Sequence, residues 1–270
     1  MNVVYEPRGR AREYAELAIN IYAGCSHGCT YCYARDIAKK FGRTHDYASP
    51  QPRTNIAELV EKDCLKLPPE SGQILLCFTT DPYQHVGDNS KTREIIQIIK
   101  KHGLNFCVLT KGGFAALADI DLYQPGDSFA SSLTCLDNST WQKYEPGSAS
   151  PAERIETITK FHDRGIETWA SLEPVINPTE TLNIINQTHS IISLYKIGKL
   201  NHVANTTDWR EFGFAAASLC DQYQVPFYIK DDLKKYIPDE KFEFEKTRLE
   251  IEAAHKSHPC PIKSQVAFSV

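Results

Sequence analysis

Residues 20–34 read Asn20-Ile21-Tyr22-Ala23-Gly24-Cys25-Ser26-His27-Gly28-Cys29-Thr30-Tyr31-Cys32-Tyr33-Ala34. An apolar run of strand character leads into a glycine-bounded loop with three cysteines, and a helical pattern follows. The first strand is expected over residues 18–23. Further apolar runs rich in Val, Ile, Leu, Phe and Tyr recur at 73–79, 105–110, 128–134, 167–172, 193–197 and 226–229. Helical patterns fall between them, at 33–41, 56–67, 92–102, 114–122, 151–164, 179–188 and 209–223. Ser150, Pro151 and Glu153 mark the start of one helix and Gly165 marks its end. Strict alternation predicts an α/β fold, a parallel sheet with helices outside it. Six or seven such units make an open sheet or a partly closed barrel. Residues 1–237 are expected to form this core, with residues 238–270 as a tail packed on it.

In such folds functional groups sit at the C-terminal ends of the strands. That rule places Cys25 after the first strand, Thr80 and Asp81 after the second, and Lys111 after the third. Ser132 lies on the fourth, Glu173 after the fifth, Lys196 and Lys199 around the sixth, and Lys230 after the last. Glu173, Lys196, Lys199, Asn201 and Lys230 are candidate substrate-pocket residues, with surface or loop positions as the alternative. Asp81-Pro82 also suits a plain turn. Glu145 and Arg154 suit a structural ion pair, and His27 suits loop structure.

Nine cysteines in 270 residues do not read as a disulfide scaffold. The count is odd and three fall within eight residues, which suits a reducing compartment with one metal or redox site. Thiolates at Cys-x3-Cys-x2-Cys spacing bind soft metals or iron–sulfur clusters. A structural zinc ion wants four protein ligands, and here a fourth could come only from His27, inside the strained loop. Three cysteines on a 4Fe–4S cluster leave one iron open, as a catalytic cluster requires. The net charge of −4 provides no global field for nucleic acid, although a local basic groove fits within a neutral total. Arg8, Arg10 and Arg12 form one basic group, either phosphate-contacting or solvated. The N-terminal stretch lacks the apolar core of a signal peptide, and no apolar run approaches a membrane span, so a cytoplasmic location is expected.

The cysteine spacing is the signature of the radical S-adenosylmethionine superfamily. Over about residues 5–175 the chain resembles the spore photoproduct lyase-like branch, also called DNA repair photolyase-like. The resemblance rests on the cysteine loop, Thr79-Thr80-Asp81-Pro82, Leu109-Thr110-Lys111, Phe129-Ala130-Ser131-Ser132 and Glu145–Arg154. It implies a partial or open (β/α) TIM-type barrel, a 4Fe–4S cluster and S-adenosylmethionine. By this resemblance Cys25, Cys29 and Cys32 hold the cluster. Tyr31, Thr80, Asp81, Lys111 and Ser132 meet the cofactor, and Tyr31 and Tyr33 match a hydrogen-transfer relay. The implied activity is reductive cleavage of S-adenosylmethionine followed by hydrogen abstraction, by analogy on a nucleic acid or nucleotide. Its implied partner is an electron donor such as a flavodoxin or ferredoxin. A peptide or small metabolite is the alternative substrate class, and a non-catalytic zinc or iron–sulfur protein the alternative function.

One departure concerns the lyase's hydrogen-donor cysteine. Aligning its motif with Thr79-Thr80-Asp81 puts Phe78 at the donor position, with Cys77 one residue earlier. Strand alternation predicts that Cys77 points to the other face. Cys135, near the end of the fourth strand, is a second candidate thiol. Cys64, Cys107 and Cys220 are expected to be core thiols.

Overall fold

The computed structural model describes residues 2–40, 46–85, 87–201 and 206–237. The tail expected at 238–270 and the last residue of the helix expected at 33–41 lie outside them. The chain runs β1 (Leu17–Ile19), β2 (Tyr22–Ala23), α1 (Tyr33–Lys40), β3 (Gln51–Pro52), α2 (Ile56–Cys64), β4 (Gln73–Leu76), α3 (Ser90–Lys101), β5 (Asn105–Thr110) and β6 (Ser128–Ser132). It continues through α4 (Asn138–Tyr144), α5 (Pro151–Asp163), β7 (Glu167–Val175), α6 (Pro178–Thr188), β8 (Leu194–Lys199), α7 (Trp209–Tyr223), β9 (Phe227–Ile229) and α8 (Asp231–Lys234). Short 3-10 helices cover Gly9–Glu13 and Gly113–Leu122.

Seven strands form one parallel sheet in the order β1-β4-β5-β6-β7-β8-β9. β2 and β3 pair separately, and within the larger sheet the strands lie in chain order, so no switch point reverses the order as it would in a doubly wound sheet. Its end strands β1 and β9 do not pair with each other, and the sheet is a partial barrel. Alternation along the strands separates two apolar layers. Leu75, Cys107, Ala130 and Trp169 pack inward with Ala15 and Ala18. Ile74, Leu76, Phe106, Val108 and Phe129 are buried from the other face, where Phe129 stacks on Phe161 of α5 at 3.8 Å between ring centroids.

Local chemistry sets the helix starts. Ser150 accepts from Glu153 N at 3.2 Å and Pro151 opens α5, as the sequence predicts. Asn177 caps α6 and Asp208 caps α7 in the same way. Two expectations change. The strand expected at 18–23 divides into β1 and β2, because the Asn20 side chain turns inward: its Oδ1 accepts from Phe78 N at 2.9 Å and Thr79 N at 2.8 Å. The helix expected at 114–122 is a 3-10 helix, whose start is pinned by Phe114 N donating to Glu153 at 2.8 Å.

The N-terminal segment reaches from one sheet edge toward the other. Tyr5 forms an antiparallel bridge to Ala18 beside β1. Further along, Glu13 Oε1 accepts from Asp231 N at 2.8 Å, next to β9. Lys196 on β8 donates to the carbonyls of Glu13 and Tyr14 at 3.1 and 2.9 Å. This segment therefore covers the side of the barrel that the sheet leaves open.

Candidate active site

A cavity of about 950 Å³ opens at the C-terminal ends of the strands. Cys25, Cys29 and Cys32 all line it, together with Tyr31, Tyr33, Cys77, Thr80, Asp81, Lys111, Ser132, Glu173 and Lys230. Twelve side chains expected at the site thus meet on one surface.

The cysteine loop is held from outside. Cys25 N donates to Tyr47 O at 2.7 Å, and Gly24 has a φ of +93° with a side-chain position only 2.6 Å from that oxygen. Only glycine fits there. On the other flank Thr30 N donates to Tyr144 O and Gly147 N to His27 O, both at 2.9 Å. Ser26 donates through its backbone and hydroxyl to Gln84 Oε1. His27 is buried, accepts from His85 N at 3.3 Å and sits 3.5 Å from Asp81, so it is part of the loop's frame. Burial lowers its pKa, which keeps the ring neutral.

Asp81 connects the loop to β5. Its Oδ1 accepts from Tyr83 N at 2.9 Å and from the Thr110 hydroxyl, and its Oδ2 accepts from Lys111 N at 2.9 Å. Both oxygens are committed to the scaffold, so Asp81 fixes the position of Lys111. Burial works against the Lys111 charge, but nearby Glu145 outweighs it and holds the ammonium above its ordinary pKa. The Ser132 hydroxyl has no protein partner among the described residues, while its carbonyl accepts from Arg154 at 3.0 Å.

Beneath Tyr31 lies a buried ion pair between Glu145 and Arg154. Tyr31 donates its hydroxyl to the Glu145 carboxylate. Burial favours the neutral acid, yet Arg154 and Lys111 overcome it and bring Glu145 down to about 2. The same burial and the Glu145 charge push the Tyr31 hydroxyl well up.

Five expected positions change. Pairing of β4 ends at Leu76, and the following amides bond to Asn20, so strand alternation no longer applies. Cys77 and Phe78 consequently both line the cavity, and Cys77 is not turned away. Cys135 is buried outside the cavity lining, three residues beyond the end of β6. Lys196 shares the inward parity of β8 but is held between the Tyr14 and Trp169 rings, at 5.5 and 4.9 Å, below the cavity. Lys199 has the opposite parity and packs over Trp209 and Tyr236, and Asn201 donates to the Lys199 carbonyl. None of these three lines the cavity.

The sequence reading missed Tyr14, Tyr47 and Ser171, which also line it. Tyr14 donates to Glu173 Oε2 at 2.6 Å and pairs with Ser171 Oγ at 3.0 Å. Ser171 stands two residues before Glu173 on β7, and that period of two was a usable signal. Tyr14 carried none, because it sits in a charged N-terminal stretch.

The residues fit an iron–sulfur cluster with a bound cofactor. Cys25, Cys29 and Cys32 present three thiols of one loop to the cavity, a donor set that suits an iron–sulfur cluster taking each thiolate on a different iron. The buried Thr79 hydroxyl, also on the cavity wall, has no partner among the described residues.

Comparison with known proteins agrees with this geometry. The family model of the radical SAM superfamily matches residues 19–190, more than half of the chain. The chain is 27% identical over 230 residues to the uncharacterized protein MJ0683 of Methanocaldococcus jannaschii, covering 83% of this chain and 84% of that protein. It is 28% identical over 174 residues to the uncharacterized protein Rv2578c of Mycobacterium tuberculosis, covering 58% of this chain and 49% of the relative. A point mutant of spore photoproduct lyase superposes with a TM-score of 0.62 at 12% identity, over 83% of this chain and 79% of the lyase. Streptococcus suis SuiB bound to S-adenosylmethionine gives 0.61 at 11% identity, over 83% of this chain and 52% of SuiB. The chain therefore spans about half the length of SuiB and of the mycobacterial relative. At these identities the structural likeness is one of fold.

Proposed function

The chain belongs to the radical S-adenosylmethionine superfamily, and on that premise we propose that its cavity binds S-adenosylmethionine at a 4Fe–4S cluster and initiates hydrogen abstraction from a substrate. In this reading Cys25, Cys29 and Cys32 each bind one iron and leave the fourth for the cofactor's amine and carboxylate. When bound, cluster and cofactor supply a 5′-deoxyadenosyl radical that removes a substrate hydrogen atom.

The chain's own residues bind and orient. Lys111, kept charged by Glu145, attracts the cofactor carboxylate. Ser132 and Thr80 offer hydroxyls on the same wall, and Asp81 holds Lys111 in place. Tyr31, fixed by Glu145, presents its ring beside the adenine. Cys77 and Tyr33 line the cavity and are the hydrogen-transfer candidates, whereas Cys135 stands outside it. Arg8 and Arg10, at the cavity wall, support a nucleotide or nucleic acid as substrate. Electrons come from a flavodoxin or ferredoxin, and the basic residues Arg35, Lys39 and Lys40 of α1 suit such an acidic donor.

The observation that carries the reading is the meeting of three cysteines of one loop with Lys111 and Ser132 on a single cavity. Anaerobic reconstitution followed by iron and sulfide assay tests the cluster. Incubation with dithionite and S-adenosylmethionine tests the chemistry. We expect bound iron and sulfide in equal amounts and 5′-deoxyadenosine as product, both lost in Cys29→Ala. A protein that takes up zinc alone and forms no 5′-deoxyadenosine would overturn it.

A further inference from the structure

At the β7–β9 end of the cavity stands a polar group that the cofactor residues do not use. Glu173 Oε2 accepts from Tyr14 at 2.6 Å and from Lys230 Nζ. Its other oxygen, Oε1, receives no donor from the described residues, and Glu173 lines the cavity. The nearby carboxylates differ. Asp81 has both oxygens occupied, and Glu13 Oε1 takes Asp231 N and the Tyr228 hydroxyl. Glu173, a residue of the cavity wall, thus keeps an oxygen without a donor among the described residues, beside Gly198.

Lys230 is 2% exposed and already engaged. It pairs with Glu173, lies 3.6 Å from Glu13 Oε2, and stands 4.1 Å from the centre of the Tyr14 ring. Its three hydrogens leave little for a ligand. Its ammonium instead anchors Glu173 Oε2. Space for the pair is provided by Gly198 on β8, where a side chain would come within 2.8–2.9 Å of Glu173 and Lys230. The partner that this site lacks is a hydrogen-bond donor.

Surrounding groups narrow its class. Phe78 lines the cavity and meets the Tyr14 ring edge to face at 5.7 Å, so flat aromatic surface comes from Phe78, while Lys230 covers the Tyr14 ring. Arg8 and Arg10 on the same wall disfavour a cationic ligand. We propose that Glu173 Oε1 is the recognition atom of a substrate subsite for the N–H edge of a neutral, planar nitrogen heterocycle. Tyr14 and Lys230 act as its positioning residues. The inference rests on the reading of this cavity given above. The adenine amine of the cofactor shares this chemistry, so the test separates the two sources.

Binding of uridine, 3-methyluridine and S-adenosylmethionine is measured separately on the cluster-loaded full chain and on Glu173→Gln. Uridine should bind about tenfold more tightly than 3-methyluridine, whose ring N–H is blocked, as expected for one hydrogen bond to a charged group. In Glu173→Gln that difference should collapse while S-adenosylmethionine affinity stays within about twofold. Equal binding of the two nucleosides, or none, overturns the proposal, and this comparison needs no variant to fold. A fall in S-adenosylmethionine affinity in Glu173→Gln also overturns it, because the residue then serves the cofactor. Formation of 5′-deoxyadenosine by the wild type reports on the enzymatic reading alone. Its absence sinks that reading, whereas its presence with a failed uridine arm sinks only the subsite.

Discussion

Arg154 is 1% exposed, and its guanidinium is surrounded by acceptors. Nε donates to Ala149 O at 2.9 Å, Nη1 to Ser132 O at 3.0 Å, and Nη2 to the Ser148 hydroxyl beside Glu145. One side chain thereby fixes the end of β6, the start of α5 and the acid that orients Tyr31. Removing the acid leaves this cation buried without its counter-charge, so Glu145→Gln should cost about 3–5 kcal/mol in urea unfolding. The pH dependence has a definite sign. The folded pKa of Glu145, about 2, lies below the usual carboxylate range, so its contribution is complete above that range and is lost as pH falls through about 2. Stability of Glu145→Gln should therefore fall less steeply below pH ~4 than that of the wild type. Sequence reading allowed an ion pair between Glu145 and Arg154. It carried no sign that Tyr31 is the third member, because that contact joins residues 114 positions apart.

At the level of elements, the cysteine loop takes its shape from its neighbours. The segment after α4 passes so closely that a side chain on Gly147 would lie 2.4 Å from Ser26 O. Gly147→Ala should push the loop away and reduce reconstituted iron and sulfide per chain by more than half. Gly103→Ala, strained by its φ of +67° but with no atom within 4 Å of the new group, should cost stability and reduce neither. Strands and helices were largely legible, since buried parallel strands read as apolar runs and the start of α5 read as a Ser-Pro pair. Their ends were less so. The sides taken by Cys77 and Cys135 depend on where pairing stops, and for β4 that stop is imposed by Asn20, a residue of the link between β1 and β2. Position at a strand end did not place the two lysines: Lys199 has the outward parity, and Lys196, of inward parity, is taken up by Tyr14, Trp169 and two carbonyls. No helix among the described residues is long and apolar enough to cross a membrane.

For the molecule as a whole, sequential strand order leaves one side of the barrel unpaired, and the chain's first residues cover it. Lys196 fastens that segment through two carbonyls and two aromatic rings. Lys196→Met should loosen it by about 1.5–3 kcal/mol, the worth of hydrogen bonds to a charged group. Trypsin should then cut after Arg8, Arg10 or Arg12 about ten times faster or more, provided that cleavage follows local opening. An unchanged cutting rate would show that the segment is held elsewhere. The contact between Glu13 and Asp231 joins residues 218 positions apart. Early in synthesis the cysteine loop has emerged, but the residues that complete this wall have not. The pocket can close around the thiolates only when the last strand leaves the ribosome, so the order of synthesis itself leaves an interval in which the metal site stands open to the machinery that delivers iron and sulfide.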